Sequence, residues 1–265
     1  MPESDPSTAT VPDPAVGDTR AIGQQVGNED VAWDSFGSQA YFEHNYGELR
    51  WDDAKIIEVI ADFFAATVPD GFVGRAIDVG SGTNLYPALA MLPYSSEVTL
   101  YERARTNRDW LQATLKEPQS SWRPFWDAIA VDRAPYKNIL RPFSVLADRA
   151  QVTRGNVFDL KPNAYDLGTM FFVAESITTR DNEFRRAARL FVDSLTPGAP
   201  FAAAFMRDSS GYYVDDLRFP ACSVNEQDVL AALNPVARGV KITTIESDDL
   251  REGYCGMMVA TGRKK

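Results

Sequence analysis

Asp78-Val79-Gly80-Ser81-Gly82 follows the β-rich run Arg75-Ala76-Ile77. Glycines at the end of such a run let the backbone turn sharply and touch a ligand with no Cβ in between. A turn of this kind also occurs where a chain merely reverses, so a second feature is needed. Glu102 supplies it by ending the next β-rich run, about 20 residues on, where a carboxylate accepts both hydroxyl hydrogens of a ribose. The pair calls for a cofactor that carries a nucleoside. A nicotinamide dinucleotide wants G-x-G-x-x-G, whereas Gly80 and Gly82 are followed by the bulky Tyr86 rather than by a third small residue. S-adenosylmethionine has no phosphate and carries a sulfonium, which an acidic turn residue and nearby aromatic rings suit. The residues therefore favour the methyl donor. A nicotinamide-dependent oxidoreductase and a non-catalytic protein that has kept the cofactor pocket are the rival readings.

Methyl transfer needs alignment and exclusion of water rather than a covalent nucleophile. A base beside the acceptor helps when a proton must leave. The candidates are His44, Glu175 and Asp208. Glu175 follows a β-rich run at the carboxyl edge, where ligands sit in open α/β sheets. Trp33, Phe36, Tyr212 and Tyr213 are suited to an aromatic acceptor pocket. Cys222, Cys255 and the single histidine offer no metal-binding spacing, so no metal is expected. With 37 acidic against 27 basic residues the net charge is −10, which speaks against nucleic acid and anionic membranes as partners. Arg185, Arg186 and Arg189 lie opposite Phe184, Ala187, Ala188 and Phe191 at helical spacing, the pattern of a solvated face rather than a phosphate site.

These residues require a scaffold of alternating strands and helices. Residues 1–30, rich in Pro, Ser, Thr, Asp and Gly, read as a mobile tail, and 31–265 as one domain. Within it, 31–70 form an aromatic cap and a helix for which Asp52 and Asp53 offer N-caps. Residues 75–79, 97–101, 150–153, 166–173 and 200–205 read as strands. Helices are expected at 85–92, 107–115 and 181–195, and 116–150, broken by prolines, is an insertion of short helices. Segments 240–247 and 255–261 read as an antiparallel hairpin at the sheet edge. The fold class is α/β with a mostly parallel sheet. No long apolar run or secretory leader is evident, so a cytoplasmic enzyme is expected.

The chain resembles the nicotinamide N-methyltransferase, phenylethanolamine N-methyltransferase and thioether methyltransferase family. Tyr41-Phe42-Glu43-His44-Asn45-Tyr46 is similar to its Tyr-Leu-x-x-Tyr-Tyr cap, and Ile77-Asp78-Val79-Gly80-Ser81-Gly82-Thr83-Asn84-Leu85-Tyr86 to its I-D-I-G-S-G-P-T-I-Y turn. Glu102 with Asn107, Asn156-Val157, and Ser210-Gly211-Tyr212-Tyr213 extend the match. The resemblance implies a seven-stranded Rossmann-like class I fold with an N-terminal cap. It implies donor binding by Tyr41, Tyr46, Gly80, Tyr86, Glu102, Asn107, Asn156 and Val157, and an acceptor site bordered by Tyr41, Asn45 and Tyr213; Asp78, Ser81, Gly82, Asn84 and Phe171 are expected beside them at the donor, and Phe36 and Met206 at the acceptor. Asn45, Phe171 and Met206 depart from the family's residues, which turns expectation away from nicotinamide itself. The acceptor is expected to be a small aromatic or heterocyclic molecule methylated at nitrogen. Ring carbon in specialised metabolism, or sulfur, is the alternative.

Overall fold

The strands line up so that the glycine turn falls at the centre of the sheet. The structure is a computed structural model that describes residues 25–246 and 256–265. After short turns at Asn28–Asp30 and Trp33–Ser35 come α1 (Ser38–Tyr46), α2 (Trp51–Thr67), β1 (Gly74–Val79), α3 (Tyr86–Met91), β2 (Ser95–Glu102) and α4 (Arg105–Lys116). Three short helices follow, α5 (Trp122–Ala130), α6 (Ala134–Lys137) and α7 (Pro142–Arg149), then β3 (Ala150–Arg154), β4 (Leu167–Phe171), α8 (Asp181–Asp193) and β5 (Pro200–Met206). The chain ends with the small hairpin β6 (Tyr212–Val214) and β7 (Leu217–Phe219), α9 (Glu226–Leu233), β8 (Ala237–Ile245) and β9 (Met257–Lys264). The main sheet has seven strands in the order β3-β2-β1-β4-β5-β9-β8. The pairs from β3 to β5 are parallel, and β9 runs antiparallel to both β5 and β8.

Side chains alternate across this sheet, and both faces are covered. Ile77, Val79, Met170, Phe201 and Phe205 pack toward α8 and α9, while Ala76, Leu100, Leu167 and Val259 pack toward α2, α3 and α5. Ile56, Ile57, Ile60 and Phe64 recur at helical spacing along α2 and are fully buried, each stabilising the fold by roughly 1.5–3 kcal/mol. The arginines of α8 do lie off its buried face. Arg185 pairs with Asp181 at 3.0 Å, Arg186 stacks over the Phe158 ring at 4.8 Å, and Arg189 donates to backbone carbonyls of α9.

The structure departs from the sequence expectations at several points. Asp52 and Asp53 are not caps: α2 begins one residue earlier, at Trp51, and both carboxylates sit in its first turn, nearly buried. Residues 25–30, expected within the tail, are packed. The backbone of Val26 is bonded to Thr179, Asn28 is buried against Asn156, and Asp30 pairs with Arg180. The remainder of that expected tail, residues 1–24, lies outside the described residues, as does Cys255. The C-terminal pair does form the expected antiparallel edge of the sheet, with β9 between β5 and β8. The hairpin β6–β7 and helix α9, capped by Asn225 through the backbone N–H groups of Gln227 and Asp228, were not foreseen. Segment 116–150 does consist largely of short helices, and α5 packs on α2 and α3. Among the described residues no helix is long and apolar enough to cross a membrane.

Candidate active site

From β1 the chain runs to β2 on one side and returns at β4 on the other, which opens a crevice beyond the carboxyl ends of the strands. The turn that borders it needs its glycines. Gly80 and Gly82 have φ of +67° and +54°, a region that side chains with a Cβ resist. A Cβ on Gly80 would stand 2.5 Å from Val173 Cγ2, whereas one on Gly82 would meet nothing closer than the Gly80 carbonyl at 3.8 Å. Glu102 ties this turn to β2. Its Oε2 accepts the N–H of Gly82 at 2.8 Å and its Oε1 that of Ala104 at 2.7 Å. Burial holds its carboxyl above the usual range in spite of these bonds. Asp78 sits beneath the turn, its Oδ1 accepting the Thr169 hydroxyl at 2.6 Å, and burial raises its pKa to about 7.

A first cavity lies over the turn. Gly80, Ser81, Gly82 and Asn84 form one side of it. Glu102, Asn107, Asn156 and Val157 form another, and Phe36, Tyr41, Tyr46 and Phe171 close it from the cap and β4. Two of the expected donor residues, Asp78 and Tyr86, are in the wall behind it, both almost completely buried. Tyr86 stacks on Phe125 and meets Tyr46 edge-on, so the segment read as an insertion supports the tyrosines of the site. Trp122 of the same segment stacks on Tyr46. Asn28 escaped sequence reasoning. It lines the cavity from the N-terminal segment, with its amide donating to Asn156 Oδ1 at 3.0 Å, and no local pattern marks such a long-range bond.

A second cavity adjoins the first, and the two share Tyr41, Tyr46, Phe172, Ser176 and Tyr212. Asn45 and Met206, both expected at the acceptor, line it together with Arg50, Asp52 and Asp53. Tyr213 does not. Neighbouring residues of a strand point to opposite sides, and on β6 it is Tyr212 whose ring meets Tyr41 and Phe219, leaving Tyr213 67% exposed. The same periodic argument removes His44. Tyr41 and Asn45 are four apart on α1 and face the cavity, while His44 is exposed and lines neither space. Asp208 also lies outside both linings. Phe172, which sequence reasoning passed over, enters both cavities from a left-handed backbone conformation at φ 57°. A bulky residue held there is strained by about 1–3 kcal/mol, as functional sites often are.

Glu175 is completely buried behind this junction. Its Oε1 accepts the N–H of Met206 at 2.9 Å and the hydroxyl of Ser176 at 3.3 Å, and its Oε2 has no partner. Burial raises its carboxyl from 4.5 to about 7, against the lowering effect of those bonds. Between these values the folded chain keeps a proton that the unfolded chain has lost, so this group makes stability fall as pH rises, with no further loss above about 7. In Glu175→Gln that component is gone. Denaturation midpoints at pH 5 and pH 8 are then expected to lie closer together than in the native chain, and an unchanged gap contradicts the burial argument.

The wall of the first cavity also contains polar groups that the protein leaves unsatisfied. Thr83 Oγ1 and Asn84 Nδ2 are buried without a full hydrogen bond, a state that costs about 1–3 kcal/mol per group unless a ligand supplies the partner. Both residues line the cavity and both can donate, which suits the carboxylate of an amino-acid moiety, while the Tyr86 hydroxyl behind them is turned toward Asn84 and Asp53. Glu102 offers spare lone pairs to a ribose. The donor set therefore fits S-adenosylmethionine. The family model described as NNMT/PNMT/TEMT matches residues 24–265. The chain belongs to that family. It is accordingly an S-adenosylmethionine-dependent methyltransferase. Within the family's reach, phenylethanolamine N-methyltransferase of Rattus norvegicus is 24% identical over 226 residues, 77% of each chain. Among solved structures, the fold is similar to 1,6-didemethyltoxoflavin-N1-methyltransferase of Burkholderia thailandensis, with bound 1,6-didemethyltoxoflavin and S-adenosylhomocysteine. That match has a TM-score of 0.55 and 13% identity, and it covers 92% of this chain and 93% of that one. An S-adenosylmethionine-dependent methyltransferase of Clostridium acetobutylicum is similar at TM-score 0.53 and 9% identity, over 85% and 96% of the two chains. These likenesses concern the fold, which is the expected class I arrangement.

Proposed function

We propose that this enzyme methylates nitrogen in a small, flat acceptor bound in the second cavity, with the methyl donor in the first. The observation that carries this reading is the wall the cavities share: Tyr41, Tyr46, Phe172, Ser176 and Tyr212 border both spaces, so a donor and an acceptor would meet there. Glu102 would hold the ribose, Asn156 and Val157 the adenine side, and the unsatisfied donors Thr83 and Asn84 the amino-acid end. The donor supplies an electrophilic methyl carbon on a sulfonium. The protein's own part is to align the acceptor's lone pair with that carbon and keep water out. Aromatic rings from the cap and β6 suit a flat acceptor. The rat relative and the Burkholderia protein are both named as N-methyltransferases, which supports nitrogen over carbon or sulfur.

The test is calorimetric titration with S-adenosylhomocysteine, followed by a methyl-release screen over aromatic amines, indoles, amino-acid derivatives and thioethers. Micromolar binding and turnover on amines are expected. On the best acceptor, Tyr212→Ala should cut turnover by about tenfold or more, since an aromatic wall and its alignment are lost, while Tyr213→Ala stays near native. Turnover confined to carbon or sulfur acceptors would refute the assignment to nitrogen.

A further inference from the structure

The second cavity is walled by two unlike groups of residues. Tyr41, Phe172 and Tyr212 border the donor space as well, and the rings of Tyr41 and Tyr212 meet edge-on with centroids 6.4 Å apart. Arg50 and Asp52 line the second cavity and not the first. They come from the start of α2, where Arg50 is the extended residue before the helix and Asp52 lies in its first turn. A cation and an anion two residues apart are thereby turned to one wall, with Arg50 Nε 3.5 Å from Asp52 Oδ1.

This pair leaves bonding capacity on both partners. Asp52 Oδ1 accepts the N–H of Asp53 at 2.9 Å and faces Arg50 Nε, while among the described residues Oδ2 takes no hydrogen bond. The Asp52 side chain is only 4% exposed, so that spare oxygen has little water to turn to and a ligand N–H would satisfy it. Only Nε of Arg50 is engaged, and neither of its Nη groups has a partner among the described residues. The open edge of a guanidinium holds a carboxylate by two parallel N–H bonds. Asp53, the other acid of the wall, is already engaged, because the Tyr86 hydroxyl is turned toward it.

Resting on the nitrogen reading above, we infer that Arg50 and Asp52 bind the carboxylate and the ammonium of an α-amino acid whose aromatic ring lies among Tyr41, Phe172 and Tyr212. The substrate class is then an aromatic amino acid with a nucleophilic nitrogen on its ring portion. Both charged groups are held away from the donor, and the ring nitrogen is what meets the methyl carbon. Its lone pair forms the bond to that carbon as the carbon–sulfur bond breaks, and sulfur keeps the electron pair. The methylated nitrogen then gives its N–H proton to solvent. A plain amine would leave the Arg50 edge unused, and a plain acid would leave Asp52 Oδ2 unpaired, so the wall selects the zwitterion over either.

The test titrates the full-length enzyme, saturated with S-adenosylhomocysteine, with four probes that share an aniline ring. They are p-aminophenylalanine; p-aminophenethylamine, without the carboxylate; p-aminohydrocinnamic acid, without the ammonium; and p-ethylaniline, without either. Calorimetry should find the amino acid bound most tightly, with each lost charge weakening binding by about 10-fold to 10²-fold, the scale of a hydrogen bond to a charged group. Arg50→Met should no longer distinguish p-aminophenylalanine from p-aminophenethylamine. Asp52→Asn, which can still accept the Asp53 N–H, should no longer distinguish it from p-aminohydrocinnamic acid. Equal affinity of the native enzyme for all four probes, or binding of none, overturns the zwitterion site, and this series decides even where a variant fails to fold. So does an equal loss on every probe in both variants, which would give Arg50 and Asp52 only the shaping of α2. A parallel assay with labelled methyl donor separates the two readings. Preference for the amino acid without transfer to its aniline nitrogen overturns the nitrogen reading and upholds the site, whereas transfer to aniline nitrogen with no preference among the probes overturns the site alone.

Discussion

Gly80→Val is expected to abolish measurable binding of S-adenosylhomocysteine. The new Cβ would approach Val173 Cγ2 to 2.5 Å, far inside contact distance, on a residue whose φ is +67°. A β-branched side chain there is disfavoured by about 1–3 kcal/mol before any clash is counted. The cheapest relief is a shift of the turn or of Val173, and both line the first cavity. A displacement of about 1 Å at such a place costs roughly 100-fold in a well-organised site. Calorimetry at protein concentrations suited to micromolar affinity measures the loss. Circular dichroism checks that the sheet persists, with a lowered melting temperature because β1 is central. Unchanged affinity in a folded variant would remove the turn from the donor site.

The second large effect is expected at Glu102. Glu102→Ala takes the acceptor from the N–H groups of Gly82 and Ala104 and leaves a ribose without its carboxylate. Hydrogen bonds to a charged group contribute about 1.5–3 kcal/mol each, so losing two from the ligand weakens binding by on the order of 10²-fold or more. Turn support and ribose contact are separated with the 2′-deoxy analogue of S-adenosylhomocysteine. If Glu102 binds the ribose, the native enzyme should discriminate against the analogue and Glu102→Ala should hardly distinguish the two ligands. Equal discrimination by both proteins would leave Glu102 only its structural bonds.

Much of the donor side was legible because it is local. The strand–turn–helix around Gly80 and the acid that ends β2 depend on neighbours in sequence, and periodicity located nearly every strand of the sheet. The structure placed Gly80, Gly82, Glu102, Asn107, Asn156 and Val157 around one cavity, as their spacing and the family resemblance implied. The acceptor side was less legible. His44 and Tyr213 have suitable chemistry but the wrong phase on their elements, while Tyr212, Phe172 and Ser176 have the right one. A single residue of phase reverses the direction of a side chain in a strand, which composition cannot register.

By itself the sequence determined the α/β class, the glycine turn, the acid that ends β2 and the family, since each rests on short-range pattern or on motif. Tertiary structure alone decided that residues 25–30 close onto Asn156, that the segment around Trp122 and Phe125 supports Tyr46 and Tyr86, and that Asp52 and Asp53 face the second cavity rather than capping α2. It also decided that Glu175 is buried behind Ser176. The reason is physical. Burial, the unsatisfied atoms it leaves and the pKa shifts it causes belong to the packing of segments far apart in the chain, and no window of neighbouring residues contains them.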